Sequence, residues 1–397
     1  MLKPPADLRP VRERLPERIP LLMGAGPTPI TPQVAAANGL LVNHLGPTMD
    51  GVIESVQDMV RYAMQTEARH IIGISGPSSA GLEMAAANLL GPGRRLLALV
   101  QGTFSKRMAD MARGVGTEVV ELHSEPGFPV AVDEIAAALD SGPFAMVSTV
   151  QGETSSGTCN PWIPEIAQLA RKHDALFLVD AVCTLTTMPL PMDEWDIDII
   201  VTGGQKGLSS IPGVSPIAFS DRAWEIVEAR PALQPHWCLD AQRAWRFWGE
   251  HQYHYTAPVP GILALHEALR MICEEGLEAR FERHALCSGA LQASLEAMGL
   301  ELFTQLPFRL NSVLAIRTPA GVDDVALRAH MEDVHGVQIA GAFGLDIFRI
   351  GQMGEQCRHA ALRRTITALL DALRVQDFPA DAAAALEALE AGLQGEA

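Results

Sequence analysis

The sequence Val201-Thr202-Gly203-Gly204-Gln205-Lys206-Gly207 directly follows a mainly apolar run, residues 195–200. Apolar and β-branched residues followed by small ones predict a buried strand that enters a tight loop, which places Lys206 at the end of the strand. Lys206 is the only charged residue between positions 201 and 211. Small and apolar surroundings favour a neutral amine, which carbonyl and Schiff-base chemistry requires. A surface lysine in a turn is the alternative.

A second apolar run, residues 175–179, ends in Asp180, 26 residues before Lys206. Ligands of open α/β sheets usually bind where the carboxyl ends of the strands meet, so Asp180 and Lys206 are expected to face one crevice. Pyridoxal phosphate needs such a pair. The lysine holds its aldehyde as an imine, and the carboxylate keeps the pyridine nitrogen protonated, so that the ring accepts electrons.

Seven motifs in a characteristic order extend this prediction. They are Gly24-Ala25-Gly26-Pro27, Ser75-Gly76-Pro77-Ser78-Ser79 with Gly81-Leu82-Glu83, Gly152-Glu153-Thr154-Ser155-Ser156-Gly157, Val179-Asp180, Gly204-Gln205-Lys206 with Pro212-Gly213, Tyr253-His254-Tyr255-Thr256, and Arg349-Ile350-Gly351. With them, residues 21–373 resemble the pyridoxal-phosphate-dependent alanine/serine–glyoxylate (serine–pyruvate) aminotransferases, in the class V group of fold type I enzymes.

The fold expected from the residues is α/β, because six predicted strands alternate with helices of about ten residues, which indicates a largely parallel sheet. The resemblance implies a large domain with a mostly parallel seven-stranded sheet and a smaller α+β C-terminal domain. We expect an N-terminal arm at residues 1–20, a large cofactor-binding domain at 21–267, a small domain at 268–376 and a helical tail at 377–397.

The phosphate of the cofactor is expected at Ser78 and Ser79, which open a helix after a predicted strand at residues 70–75. Free backbone N–H groups and the helix dipole can seat an anion there, although serines that only cap the helix would show the same pattern. The site has neither a P-loop nor a G-x-G-x-x-G motif, which disfavours a nucleotide. The resemblance also implies that Gln205 lies at the phosphate.

Four further cofactor contacts are implied by the resemblance. Phe104 stands where the family has an aromatic ring over the pyridine, with ordinary core packing as the alternative. Thr154 would offer its hydroxyl near the phenolic oxygen of the ring. Tyr253 and Thr256 match residues that bind the phosphate in the neighbouring subunit, so the resemblance implies a homodimer with shared active sites.

Substrate binding is expected at Arg349, which lies within an apolar run at residues 347–351. A buried guanidinium without a partner is unfavourable, so we expect an anion beside it. A structural Asp or Glu would serve, but the resemblance favours a substrate carboxylate in a bidentate contact. Gly26 is also implied at that carboxylate, although its loop could be a plain connection. Family members often carry His-Arg where Asn43-His44-Leu45 stands here.

The activity implied by the resemblance is a ping-pong transamination. A small L-amino acid, alanine or serine, would give its amino group to a 2-oxo acid such as glyoxylate or pyruvate through an aldimine at Lys206. Another pyridoxal phosphate reaction, by a lyase or a desulfurase, is the alternative. A desulfurase needs a nucleophilic cysteine on a mobile loop, whereas Cys357 lies at a predicted helix start. A regulator that only binds the cofactor would not need Arg349.

The composition of the chain argues against several kinds of partner. The formal net charge of −17 disfavours nucleic acids and anionic membranes, whose phosphates require clustered Lys and Arg. No apolar run approaches 18 residues, so no membrane segment is expected. The six cysteines are scattered and show no paired Cys/His spacing, which predicts reduced thiols, no metal site and a cytoplasmic location.

Overall fold

The computed structural model describes residues 3–230, 236–342 and 344–394. The strands found in this part of the chain are β1 (Leu21–Leu22), β2 (His70–Ser75), β3 (Arg95–Val100), β4 (Glu118–His123), β5 (Met146–Val150), β6 (Gly152–Glu153), β7 (Thr158–Cys159), β8 (Leu176–Asp180), β9 (Ile199–Val201), β10 (Val214–Phe219), β11 (Val313–Arg317), β12 (Val337–Gln338) and β13 (Ile347–Gly351).

The α-helices of the same residues are α1 (Pro32–Asn38), α2 (Pro47–Met64), α3 (Ser78–Leu89), α4 (Thr103–Gly114), α5 (Val132–Asp140), α6 (Ile163–Lys172), α7 (Asp221–Glu228), α8 (Ala241–Trp248), α9 (Val259–Glu275), α10 (Leu277–Ala297), α11 (Asp324–His335), α12 (His359–Val375) and α13 (Ala382–Leu393). Short 3₁₀ helices cover Val11–Arg14 and Gly354–Gln356.

The large sheet has seven strands in the order β2-β10-β9-β8-β5-β3-β4. Strand β10 is antiparallel to both of its neighbours, and the other pairs are parallel. Strands β5 and β9 are buried along their whole length, as expected of strands covered by helices on both faces. The predicted mostly parallel seven-stranded sheet is therefore confirmed.

The register of the central strands brings their carboxyl ends to one edge. Asp180, the last residue of β8, pairs with Val150 at the end of β5 and with Val201 at the end of β9. The chain leaves β9 into the loop that carries Lys206. The segments that follow β5, β8 and β9 therefore open at the same edge of the sheet.

A second hydrophobic core lies in the C-terminal part of the chain. The antiparallel pair β11–β13 contributes Ile316 and Phe348 to it, and helices α10, α11, α12 and α13 cover it. Helix α13 packs closely on α10, since a side chain at Gly392 would overlap Ala290. Helix α9 runs without a break through residue 268, so the predicted domain limit there stays a prediction.

The start of the chain belongs to this second core. Residues 3–19 are exposed, and then β1 pairs in parallel with β12, so that Leu21 and Met23 pack into the C-terminal cluster. The loop that follows Met23 returns to the edge of the large sheet. Of the helices in the described residues, none has both the length and the apolar character needed to cross a membrane.

Candidate active site

A cavity of about 190 Å³ opens at the carboxyl edge of the large sheet, between the starts of helices α3 and α4 and the loops after β5, β8 and β9. It brings together seven of the residues predicted from the sequence, which are Ser78, Ser79, Phe104, Thr154, Asp180, Gln205 and Lys206. Pro77, Leu82, Arg107, Gly152, Val182 and Cys183 complete its described wall.

Lys206 enters this cavity from the loop after β9. Its burial lowers the pKa of the amine, and the positive charges of Arg349 and Arg107 lower it further. The amine donates a hydrogen bond to the carbonyl oxygen of Ala25. The side chain is therefore directed into the protein, and the alternative of a solvent-exposed lysine does not apply.

Gly26 lies directly against the Lys206 side chain. Its φ of +98° is a conformation that favours glycine, and a Cβ at this position would overlap the lysine side chain. The Thr28 amide donates a hydrogen bond to the Gln205 carbonyl (3.0 Å), which fastens this loop to the lysine loop. Gly26 thus borders the reactive amine, and its loop is more than a plain connection.

Asp180 lies on the same cavity at the end of β8. One carboxyl oxygen accepts a hydrogen bond from the Val182 amide (2.9 Å), and the carboxyl group opens onto the cavity. Burial raises the pKa of Asp180 to about 6, because water is kept from the charged form. A cationic group bound beside it would restore the ionised form, and a protonated pyridine nitrogen is such a group.

The N-terminus of α3 forms another wall of the cavity. Among the described residues no side chain caps this helix, because the N-cap position is Pro77. The Ser78 hydroxyl instead accepts a hydrogen bond from the Gln205 amide nitrogen (3.0 Å). The side-chain oxygen of Gln205 is buried and has no hydrogen-bond partner among the residues described. Uncapped N–H groups, hydroxyls and an unsatisfied amide fit a bound phosphate better than simple helix capping.

Arg107 was not identified from the sequence. Its guanidinium donates a hydrogen bond to the Ser79 hydroxyl (2.9 Å) and lies 5.0 Å from the centre of the Phe104 ring. Arg107 and Lys206 are the only cationic residues in the described wall of the cavity. The available signal was a pair of basic residues, Lys106 and Arg107, near the start of a predicted helix, where the helix dipole disfavours cations.

Glu153, which lies within one of the predicted cofactor-binding motifs, organises the start of α4. This fully buried carboxylate accepts hydrogen bonds from the amides of Phe104 (3.1 Å) and Ser105 (2.9 Å) and from the hydroxyls of Ser105 (3.0 Å) and Ser155 (2.6 Å). It therefore satisfies the N-terminal N–H groups of α4 and holds Phe104 at the cavity. The sequence feature that could have identified Glu153 is the presence of a carboxylate within the predicted cofactor loop.

Arg349 is buried next to the cavity, and its donors reach backbone oxygens. It donates to the carbonyl of Thr154 (2.6 Å) through one nitrogen and to the carbonyl of Gly341 through two others, one of them at 2.8 Å. The expectation from the sequence considered only anionic partners. Carbonyl dipoles also satisfy a guanidinium, and here they fix its position beside a residue of the cavity wall.

Tyr253 and Thr256 are not brought into this cavity. Both are exposed, and the Tyr253 ring contacts that of His44 with 5.8 Å between the ring centres. The described wall of the cavity comes from other segments of the chain. A contact of Tyr253 and Thr256 with the cofactor requires a second subunit and stays a prediction.

The fold and the cavity together define a class of enzyme. A lysine amine with a lowered pKa and a deeply set carboxyl group follow neighbouring strands of a mostly parallel sheet, and an anion seat stands beside them. This is the arrangement of a pyridoxal-phosphate-dependent enzyme of fold type I.

The chain belongs to the class V aminotransferase family, because the family described as aminotransferase class-V matches residues 31–339. An alanine–glyoxylate aminotransferase of Felis catus is 32% identical over 380 residues, which cover 94% of this chain and 91% of that protein. The crystal structure of ureidoglycine–glyoxylate aminotransferase from Bacillus subtilis has a TM-score of 0.91 and 30% identity, and the match covers 96% of this chain and 99% of that chain.

A third comparison gives the same result. The crystal structure of pyridoxamine–pyruvate aminotransferase from Mesorhizobium loti has a TM-score of 0.90 and 30% identity, and the match covers 96% of this chain and all (100%) of that chain. The family resemblance predicted from the sequence is thus confirmed. The protein is a transaminase that uses pyridoxal phosphate.

Proposed function

We propose that this enzyme transfers the amino group of a small L-amino acid, alanine or serine, to glyoxylate or pyruvate. The observation that carries the proposal is the meeting of Lys206 and Asp180 on one cavity. The substrates are suggested by the names of the relatives, two of which act on glyoxylate and one on pyruvate. A cytoplasmic location stays a prediction from the sequence.

The cavity residues fit pyridoxal phosphate. The start of α3, with Ser78 and Ser79, and Gln205 would hold the phosphate, and Arg107 would add a positive charge to it. Phe104 would cover the ring, and Thr154 would contact its phenolic oxygen. Bound there, the cofactor supplies an electron sink for the transfer of the amino group.

The protein groups then have distinct tasks. Lys206 would hold and move the proton of the substrate Cα, and the lowered pKa of its amine favours this task because the neutral amine is a base. Asp180 would place a negative charge at the ring nitrogen of the bound cofactor. Arg349, fixed by the carbonyls of Thr154 and Gly341, would bind the substrate carboxylate at the lysine side of the cavity.

The test separates the two halves of a ping-pong reaction. Purified enzyme with bound cofactor is mixed with L-alanine or L-serine without any 2-oxo acid. The visible absorbance of the bound cofactor should change, about one equivalent of 2-oxo acid should form per active site, and later addition of glyoxylate should restore the spectrum. Lys206→Ala should show neither change. Failure of every small amino acid to alter the spectrum would refute the proposal.

A desulfurase is less well supported. Cys357 is completely buried at the end of the 3₁₀ helix Gly354–Gln356, and its sulfur lies 3.6 Å from the Arg283 carbonyl. A thiol in that position cannot attack a substrate in the cavity without local unfolding. Release of sulfide from L-cysteine would favour the desulfurase. Release of carbon dioxide or ammonia instead of an amino acid product would favour a decarboxylase or another lyase.

We also propose a homodimer in which Tyr253 and Thr256 reach the phosphate of the partner subunit. Tyr253 is 60% exposed, and the nearby segment before His44 exposes Leu40, Leu41 and Val42. Apolar side chains grouped on a surface are typical of a protein interface. The His44 side chain has a buried ring nitrogen without a hydrogen-bond partner in the described part of the chain, which a second subunit could satisfy.

A further inference from the structure

A cluster of two histidines and an aspartate lies on the C-terminal core, in two helices that contribute no residue to the described wall of the cofactor cavity. His330 and His335 belong to α11, and Asp371 belongs to α12. One ring nitrogen of each histidine lies 2.9 Å from the same carboxyl oxygen of Asp371. The three atoms that could bind an ion all lie within 4.8 Å of one another. No local sequence pattern links the three residues, because they come from two separate helices.

We propose that His330, His335 and Asp371 form a binding site for a divalent zinc ion. Zinc with bonds of about 2.0–2.1 Å places its ligands about 3.3 Å apart in tetrahedral geometry. The two 2.9 Å contacts with Asp371 need to lengthen slightly to reach that separation, and the two histidine nitrogens, which lie within 4.8 Å of each other, need to adjust to it as well. Two imidazoles and one carboxylate form a ligand set that suits zinc.

The protonation states balance without another reactant. In the hydrogen-bonded arrangement each histidine donates an Nε2–H to Asp371. For metal binding the proton of each neutral ring moves to Nδ1, and the Nε2 lone pair binds the ion. Asp371 would bind through the single oxygen that now accepts both histidines. Arg374 pairs with the other oxygen at 2.7 Å, which leaves the ion side of the carboxylate available.

The surroundings allow an ion to enter. The three side chains keep 23%, 26% and 28% of their surface exposed, so water can complete the coordination. His335 also lines an open surface groove.

Two positively charged side chains near the site disfavour a metal ion. Arg374 has 75% of its side chain exposed and can turn away, and Arg364 is held by the carbonyls of His335 and Gly336. The ion would join α11 to α12 at the end of α11.

The experiment uses the enzyme with its cofactor bound, treated with a chelator and then titrated with zinc chloride in a calorimeter. The wild type should bind one zinc per chain, with an affinity about tenfold or more above that of His335→Gln and of Asp371→Asn. His359→Gln is the matched control, because it removes another half-exposed histidine, paired with Glu390 at 2.9 Å on the same core. This control should bind zinc as the wild type does.

A second measurement distinguishes a lost site from a damaged fold. Zinc should raise the melting temperature of the wild type and of His359→Gln, but not of His335→Gln or His330→Gln. Melting without zinc and the transaminase activity of each variant report whether it is folded. Equal zinc binding by the wild type and a folded His335→Gln would overturn the proposal. A loss of zinc affinity in His359→Gln as large as that in His335→Gln would also overturn it.

Discussion

The amine of Lys206 and the carbonyl oxygen of Ala25 are joined by a hydrogen bond, although the two residues are 181 positions apart in the chain. Ala25 precedes Gly26, whose backbone conformation and lack of a side chain let the loop approach the lysine. The reactive amine is therefore positioned by a segment from the start of the chain, and not only by its own strand.

Gly26→Ala should lower kcat/KM strongly, whereas it should lower the free energy of unfolding only modestly. A Cβ at Gly26 would overlap Lys206, and displacement of a reacting group costs about tenfold or more in kcat/KM. Gly321→Ala is the control, because Gly321 also has a positive φ (+84°), but no atom of the described residues lies within 4 Å of the added carbon. Both variants should lose about 1–2 kcal/mol of stability from backbone strain. Steady-state kinetics and urea unfolding measure the two effects, and equal activity of the two variants would contradict the expectation.

Arg107→Gln should weaken binding of pyridoxal phosphate about 10- to 100-fold, the value of a hydrogen bond to a charged group. Binding of pyridoxal, which lacks the phosphate, should change little. Spectral titration of the cofactor-free enzyme with both compounds measures the difference. Arg113→Gln, on the same helix with 46% of its side chain exposed, is the control. An equal loss for both compounds would assign Arg107 a structural role instead.

Asp180→Asn should stabilise the cofactor-free protein at pH 8 while it abolishes activity. The folded pKa of about 6 lies above the unfolded value of about 3.9, so the folded protein binds more protons between these values. Stability is thus lost as the pH rises through that range, by about 2–3 kcal/mol in total. The asparagine removes this loss. In urea unfolding, the variant should have a larger free energy of unfolding than the wild type at pH 8. Below about pH 4 the two proteins should have equal values.

The activity of Asp180→Asn should fall by about a hundredfold or more, because the ring nitrogen loses its charged partner. A variant that is less stable than the wild type at pH 8 would show that the Asp180 charge is not disfavoured in the free cavity. A stable variant with normal turnover would remove Asp180 from the mechanism.

Subunit exchange tests the shared active site. Lys206→Ala and the double variant Tyr253→Ala/Thr256→Ala should each be nearly inactive. If each site combines Lys206 of one chain with Tyr253 and Thr256 of the other, hybrid dimers contain one intact site. Co-refolding of equal amounts should then recover about one quarter of the wild-type activity. No recovery, with hybrids demonstrated by a tag on one chain, would contradict the shared site.

The parts of the site that could be predicted from the sequence follow directly from strands. Asp180 and Lys206 come at the ends of continuous apolar runs, and the register of β8 and β9 brings those ends together. The local sequence pattern is enough to predict the positions of these two residues. The fold was predictable for the same reason, because alternating strands and helices leave few topologies for a parallel sheet.

Residues that act across the chain were harder to predict. Arg107 reaches Ser79 over 28 positions, and Glu153 caps a helix that begins 50 positions earlier. Neither contact has a periodic signature, since each depends on how two segments pack. The short parallel pair β1–β12 was also not predicted, because two residues are too few to show alternation.

That pair has a mechanical consequence. Through β1 and Met23 the first strand of the chain is anchored in the C-terminal core, whereas Lys206 is anchored in the large sheet. A displacement of one core relative to the other would therefore change the distance between the Ala25 carbonyl and the Lys206 amine. The hydrogen bond at the reactive amine thus depends on how the two cores sit against each other, although the segment that provides it belongs to the start of the chain.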